Sequence, residues 1–504
     1  MAGQGMREAF RDITLYLIIL IVVSTLGPLQ FGLHLAELNA PQDVITCRKK
    51  SIASRITKWL VSSKPADSWL PECIPMGDAA FATVSSVFML GGLLGALYAG
   101  PFSSKRGRLI TMRMTALFYV LGALVETLAG SVVVMALGRC LSGVGAGAST
   151  VIVPLYISEI SPPKERGLFG AMTQISINVG IVTTQTLGYF LSYGSQWRWV
   201  LGSGAIIAAA QAAGLLLVPE SPAWLAAHSK STEAKRVLQR IRGKEFDITE
   251  EVEGWENDGG EDTETQGLLA QADNEAPGST EPTRREHLGF LQVVQDPDSR
   301  PAIVAVVGVM FAQQLCGINS IVMYSVSLLA DLLPVSSALL TILISLANLV
   351  TTVACSPLPD RLGRKACLLI SIVGQGTSSL ILAFSIVFGI KILSAVSVLL
   401  FVAFFAVGLG PVPFILASEL VGQQAVGATQ SWCLAANYVA TFLVAQFFPI
   451  INKALNNALG GHGWVYFIFA ALAAASGAFV LWKVPETKDK KDVDEVWGRT
   501  RRLD

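Results

Sequence analysis

Charge is scarce in this chain. Only 15% of its 504 residues are Asp, Glu, Lys or Arg, where an ordinary soluble domain carries about 25%. So few charges cannot clothe a water-facing surface of that size, which excludes a soluble enzyme and a disordered chain. An excess of either sign is also lacking, since Lys+Arg and Asp+Glu cancel at 37 each. A basic nucleic-acid binder is therefore excluded. The seven cysteines contain no C-x-x-C pair, so neither a zinc site nor a thioredoxin-type redox motif is expected. There is no Asn-x-Ser/Thr sequon, and no cleavable signal peptide is evident. The first apolar run, Ile13 to Leu33, is too long for a signal core and reads as a first membrane span.

Apolar residues fill the place of the missing charge, at 52% hydrophobic and a mean hydropathy of +0.54. Stretches long enough to cross a bilayer fall near 13–33, 78–100, 111–129, 131–154, 168–193 and 198–218, then near 301–330, 335–358, 366–390, 392–417, 427–450 and 463–483. The expectation is an all-α membrane protein of twelve transmembrane helices. Its parts are an N-terminal tail (1–12), a six-helix bundle (13–218), a loop (219–300), a second six-helix bundle (301–484) and a C-terminal tail (485–504). Basic residues orient it: 27 lie in the tails and even-numbered loops against 10 elsewhere, which puts both termini in the cytoplasm. Six of those ten sit in the first external loop, against the trend. That loop also holds Cys47 and Cys73, which pair if it faces an oxidising compartment and otherwise stay thiols.

The two bundles repeat each other. Lys105-Arg-Gly-Arg108 follows the second span and Asp360-Arg-Leu-Gly-Arg-Lys365 the eighth. Ser158-Glu159 closes the fourth span and Ser418-Glu419 the tenth, while Pro219-Glu220 ends the sixth and Pro485-Glu486 the twelfth. The order is the same and the offset nearly constant. Duplicated six-helix halves are a transporter architecture, with a substrate site between them near the midplane. The loop between the halves begins with a basic amphipathic segment, Ser231 to Lys244. From Glu250 to Glu281 it holds eleven acidic residues and no Lys or Arg, a composition that cannot bury enough surface to fold. Without those eleven acids the rest of the chain carries a positive excess, mostly on the expected cytoplasmic side. Gly143-Val-Gly-Ala-Gly147 lies in an apolar helix with no strand before it, so close helix packing is expected, as at Gly91 and Gly95, and not a nucleotide loop.

The same motifs resemble the sugar-porter family of the major facilitator superfamily, especially its facilitative glucose-transporter branch. Leu29-Gln-Phe-Gly32 with Leu38-Asn-Ala-Pro-Gln42, Val153-Pro-Leu-Tyr156, Pro219-Glu-Ser-Pro222, Gln313-Gln314 with Gly317-Ile-Asn319, Gly410-Pro-Val-Pro413 and Val484-Pro-Glu-Thr487 carry the likeness. It implies a major facilitator fold, no enzymatic activity, no cofactor, no metal and no nucleic-acid partner. A sugar offers many hydroxyls and no charge, which suits carboxamides with one acceptor and two donors each. By resemblance the hexose would meet Gln174, Gln313, Gln314, Asn319, Asn348 and Asn437, with Phe414 and Tyr438 where the family usually has Trp. Gln185, also in an apolar helix, is as readily read as interhelical glue. Ala406 departs from the Glu usual in this branch.

The resemblance also assigns a cytoplasmic gate to Lys105, Arg108, Glu159, Arg166 and Glu220 in the first half and to Arg361, Arg364, Lys365 and Glu419 in the second. Opposed charges there would join the halves in one state and part in the other. Leu109, Ala223 and Val426 stand where the family has Arg, and Lys105 replaces another, which implies a weaker latch. His34 takes the position of the Asp used by proton symporters of the family and can titrate near neutral pH. Asp12 and Glu37 read as interfacial, whereas Glu126 inside the third span requires a partner or a wet cavity. Glu264, Leu268 and Leu269 fit the E-x-x-x-L-L pattern that trafficking adaptors read. The expectation is a monomeric, alternating-access carrier of a glucose-like monosaccharide, with facilitated diffusion ahead of proton-coupled sugar or polyol (myo-inositol) symport. A non-transporting sugar sensor is the rival from another class. It would sit in the plasma membrane or a vacuolar or endosomal membrane.

Overall fold

The computed structural model describes residues 14–49, 70–162, 165–243, 246–249, 251–252, 292–329, 337–488, 490 and 493–498. Among these there is no β-strand. A helix lies at each of the twelve expected spans: Leu15–Ala36, Asp78–Arg106, Arg108–Thr127, Val132–Ile160, Arg166–Leu191 and Trp197–Gly214, then Arg300–Leu315 with Ile318–Leu329, Ser337–Cys355, Arg364–Val387, Lys391–Val407 with Val412–Glu419, Gln423–Leu459 and Val465–Lys483. They are numbered first to twelfth below. Nine are long and apolar enough to cross a membrane by themselves, and the bent pair that forms the seventh makes ten. The fifth and sixth fall short for a reason visible in their residues. The fifth carries Gln174, Asn178 and Gln185 among four threonines, and the sixth has only 18 residues and includes Arg198 and Gln211.

Helix ends extend past the apolar runs. The second continues through Ser103-Ser104-Lys105-Arg106 until Gly107, whose φ of +102° suits a residue without Cβ and stops the helix. Gly363 stands before the ninth with the same φ, so the turn is built twice. Two spans are broken instead. The seventh bends by 42° around Gly317 at φ +98°. The tenth parts between Val407 and Val412, where Gly408, Gly410 and Pro411 leave backbone carbonyls without helical partners.

Packing in the first half rests on small residues. The second helix lies along the fourth, and the third along both the fourth and the sixth. A Cβ on Gly91 would fall on the Cys140 carbonyl oxygen, one on Gly95 on that of Val144, and one on Gly147 on that of Gly92. These backbones touch, as the glycine spacing predicts. The halves meet along two seams, the second helix against the eleventh and the fifth against the eighth.

The loop between the first and second spans is tied down. Cys47 and Cys73 form a disulfide with a Cα–Cα distance of 5.3 Å, which resolves the alternative left by the sequence. Trp197 Nε1 donates to the Glu72 carbonyl at 2.7 Å and Arg198 to that of Pro71 at 2.8 Å. At the opposite end the helix Ser231–Arg242 buries Ala234, Leu238 and Ile241 against the first half. Thr14 caps the first span and donates its hydroxyl to the Ile241 carbonyl at 2.6 Å. Arg242 reaches the Ile160 carbonyl and pairs with Glu251 at 2.8 Å.

Candidate functional site

The break in the tenth helix and the bend in the seventh bring the carboxamides together. Gln313 Nε2 donates to the freed Leu409 carbonyl at 2.5 Å. Its Oε1 accepts from Asn437 at 2.6 Å and from Gln314 at 3.0 Å. Gln314 Oε1 in turn accepts from Asn319 at 2.6 Å, and Asn319 lies 3.4 Å from the Thr441 hydroxyl. Four of the six expected carboxamides thus form one chain, Asn437–Gln313–Gln314–Asn319, across the seventh and eleventh helices. Gln313 and Asn319 need not share a helix face, because the bend at Gly317 turns one piece toward the other. Such a chain holds each amide in a fixed orientation and still leaves lone pairs and protons for a polyhydroxylated guest.

Asn348 belongs to a second group. Its Nδ2 lies 3.4 Å from Asn178 Oδ1 across the fifth–eighth seam, and Asn178 Nδ2 donates to Thr352 at 2.9 Å. Asn348 also faces a small cavity with Thr341 and Ser345, one turn apart on the eighth helix, opposite Ile181 of the fifth. Gln174 is half-buried one turn before Asn178. Gln185 is buried with neither end of its amide bonded, so among the described residues it makes no interhelical bond. Tyr438 is buried on the other seam. Its hydroxyl is 3.0 Å from that of Thr150, and its ring lies against Gly92 and Phe31. Phe414, on the second piece of the tenth helix, is 40% exposed.

Sequence reading overlooked Asn178 and Thr441. Each was legible as the i+4 neighbour of a residue already singled out, Gln174 and Asn437, hence on the same helix face.

The charged motifs form two matching assemblies. Arg108 chelates Glu159 with contacts of 2.7–3.1 Å, while Glu220 accepts the amides of Arg108 at 2.8 Å and Leu109 at 3.1 Å. In the second half Arg364 holds Glu419 at 2.8–3.1 Å, and Glu486 accepts the amides of Arg364 and Lys365 at 2.8 and 3.1 Å. Glu220 and Glu486 therefore satisfy orphan donors at the N-termini of the third and ninth helices, where the dipole favours an anion. Thr487 adds a hydroxyl to Glu419 at 2.5 Å. Lys365 Nζ donates to the Leu481 carbonyl at 3.0 Å. Lys105 and Arg361 are exposed, and the Arg166 side chain lies outside the described ones. In this conformation the ion pairs Arg108–Glu159 and Arg364–Glu419 run within each half. An ion pair between the halves, with a further polar link, lies at the other end of the second helix. There Asp78 takes Lys453 of the eleventh helix at 2.8 Å and also Arg48 of the disulfide loop, and Ser86 donates to Gln446 at 2.7 Å.

His34 does not stand alone. Glu37, read from sequence as interfacial, is fully buried: three residues along the helix, it returns to His34 Nδ1 at 3.0 Å and takes Arg139 at 2.6 Å. Arg139 also donates to the His34 carbonyl at 2.6 Å. Glu126 has the partner its position demands, the Ser142 hydroxyl at 2.7 Å. His34, Glu37 and Glu126 present ligand-capable atoms within 4.8 Å of one another. A cation would have to compete there with the Arg139 guanidinium. Glu264, Leu268 and Leu269 lie outside the described residues.

Two broken helices, carboxamides at the junction of two bundles and a twice-built charged motif define a membrane carrier of the major facilitator fold. The chain belongs to the sugar (and other) transporter family, matching it over residues 19–497, a family of transporters and not of enzymes. It is 35% identical to a probable metabolite transport protein of Saccharomyces cerevisiae over 99% of this chain and 98% of that one. It is 33% identical to the yeast vacuolar protein sorting-associated protein 73, over 96% of each. The facilitated glucose transporter member 3 of solute carrier family 2 from Rattus norvegicus is 28% identical over 95% of this chain and 92% of its own. Among solved structures, the inward-open xylose transporter XylE from E. coli superposes with a TM-score of 0.72 at 22% identity, over 96% of this chain and 99% of that one.

Proposed function

We propose that this protein carries a glucose-like monosaccharide across a membrane by alternating access and facilitated diffusion. The observation that carries the proposal is the linked chain Asn437–Gln313–Gln314–Asn319, a neutral hydrogen-bonding surface built on the bent seventh helix and the eleventh and anchored to the Leu409 carbonyl at the break of the tenth. Neutral amides suit reversible binding: they match hydroxyls without burying a net charge that would make release slow or entry costly. Gln174, Asn348, Tyr438 and Phe414 complete the sugar contacts in this reading, and Gln185 joins them because its buried amide is unengaged.

The Arg108–Glu159–Glu220 and Arg364–Glu419–Glu486 assemblies hold the helix ends of each half as rigid units, and the halves rock against one another. Asp78–Lys453 and Ser86–Gln446 close the mouth at the end bearing the disulfide loop, which we place outside the cytoplasm. Both termini then lie in the cytoplasm, in line with the positive-inside bias, and the carrier works as a monomer. The names of the relatives supply the substrate class and, through the vacuolar sorting protein, support for a vacuolar membrane. The acidic dileucine Glu264–Leu269 is the address an adaptor would read. Exchanging Leu268 and Leu269 for Ala is expected to move the tagged protein to another membrane; an unmoved protein removes that role.

Purified protein in liposomes is expected to take up labelled glucose saturably, with competition from other hexoses stronger than from myo-inositol. Saturable binding without flux would leave the sensor reading standing. Stronger competition by myo-inositol would make a polyol the substrate.

A further inference from the structure

The first, third and fourth helices meet in a charged quartet that lies outside the carboxamide site. Arg139 and Glu37 form its ion pair, at 2.6 Å and with side chains no more than 1% exposed. His34 lies beside them with Nδ1 directed at Glu37, Tyr119 stacked on its ring at 5.5 Å and its Nε2 without a partner. From the third helix comes Glu126, also fully buried, with Oε1 held by Ser142 and Oε2 unbonded. Phe88 of the second helix covers the guanidinium at 4.5 Å, and Gly204 of the sixth presses against the imidazole. Neither brings a charge.

With both acids ionised the charges balance only if His34 is charged too, and its buried Nε2 has no acceptor for a second ring proton, so the imidazole is neutral. Arg139 and Glu37 cancel, a neutral imidazole adds nothing, and Glu126 leaves one uncompensated negative charge in a site closed to water. A buried charge without a partner costs far more than holding a proton at neutral pH, so the group neutralises instead. The bare oxygens Glu37 Oε2 and Glu126 Oε2 are the places where a proton can reside.

We propose that the quartet is a binding site for one resident proton, carried by Glu126, and that this proton stays with the protein while sugar crosses. In this role Glu126 is a positioning residue: uncharged, it packs against Glu37 without competing for Arg139, and so ties the third helix to the first and fourth. All members belong to one half and move together when the halves rock, so the cycle gives the proton no new partner. The inference rests on the transport reading and names its energetics: flux without proton movement.

The test uses infrared spectroscopy and transport on the same purified protein. At neutral pH the wild type is expected to show the carbonyl stretch of a neutral carboxylic acid, and Glu126→Gln to lack it. That variant is expected to keep sugar flux within about twofold, because an amide reproduces a neutral carboxyl. With a pH-sensitive dye inside the liposomes, a sugar gradient should produce no pH change. Glu37→Gln is expected to lose at least about tenfold in flux or fail to fold, since it leaves Arg139 buried and unpaired. The double variant Glu37→Gln, Arg139→Gln restores neutrality and is expected to recover folded protein. Absence of the band from wild type, or its persistence in Glu126→Gln, would overturn the assignment even in a preparation that moved no sugar. Sugar-driven pH change lost in Glu126→Gln would show instead that the proton travels. A lack of sugar flux with the band present would fault the transport reading alone.

Discussion

Within the carboxamide site, the largest functional loss is expected from Gln313→Ala, which should weaken hexose binding by about ten- to a hundredfold. Gln313 is the hub of the carboxamide chain: it holds the Leu409 carbonyl at the break of the tenth helix and accepts from Asn437 and Gln314. Alanine removes any bond it makes to the sugar and frees two neighbours from their fixed orientation. Leaving buried polar groups unsatisfied costs about 1–3 kcal/mol, and each 1.4 kcal/mol is about tenfold in affinity. Calorimetric titration of the purified protein measures it. Gln314→Ala should weaken binding less, because it touches the chain at one donor and one acceptor. Unchanged affinity in both variants would mean that the sugar binds elsewhere.

The largest structural loss is expected from Gly147→Val. A Cβ at Gly147 would fall on the Gly92 carbonyl oxygen, and Gly92 is itself pressed by the Tyr438 ring of the eleventh helix. The helices cannot part to make room without disturbing a seam between the halves. Overpacking of a close-fitted core costs about 1–3 kcal/mol when side chains can yield; here the obstacle is backbone, so loss of the folded protein is expected. Gly100→Ala is the control, since nothing lies within 4 Å of its Cβ position. Thermal unfolding in detergent compares the two. A Gly147→Val protein as stable as the control would show that the second and fourth helices do not pack this closely.

Much of this architecture is legible in the residues because the membrane leaves the backbone few choices. Long apolar runs locate the helices, and the duplicated Gly107 and Gly363 turns follow from the repeated basic motifs. The carboxamides of the seventh and eleventh helices could be named because a polar residue in an apolar helix must have a reason to be there. What escaped was whatever depends on how helices rotate against each other. Glu37 sits at the end of an apolar run and reads as interfacial from position alone; only the approach of Arg139, about a hundred residues away in sequence, makes it buried. Asn178 was passed over, because only the packing of the eighth helix brings Asn348 and Thr352 to it. The charged residues at the helix ends could be singled out from their motifs, but not that in this conformation Arg108 and Arg364 would close on partners in their own half.

Counterflow in proteoliposomes tests the central claim most directly. Vesicles loaded with unlabelled glucose and placed in a trace of labelled glucose should show a transient accumulation of label above its outside concentration, because a carrier returns loaded more often than empty. The overshoot should disappear in Gln313→Ala. Label that only equilibrates, at a rate indifferent to the internal sugar, would contradict alternating access through the carboxamide site.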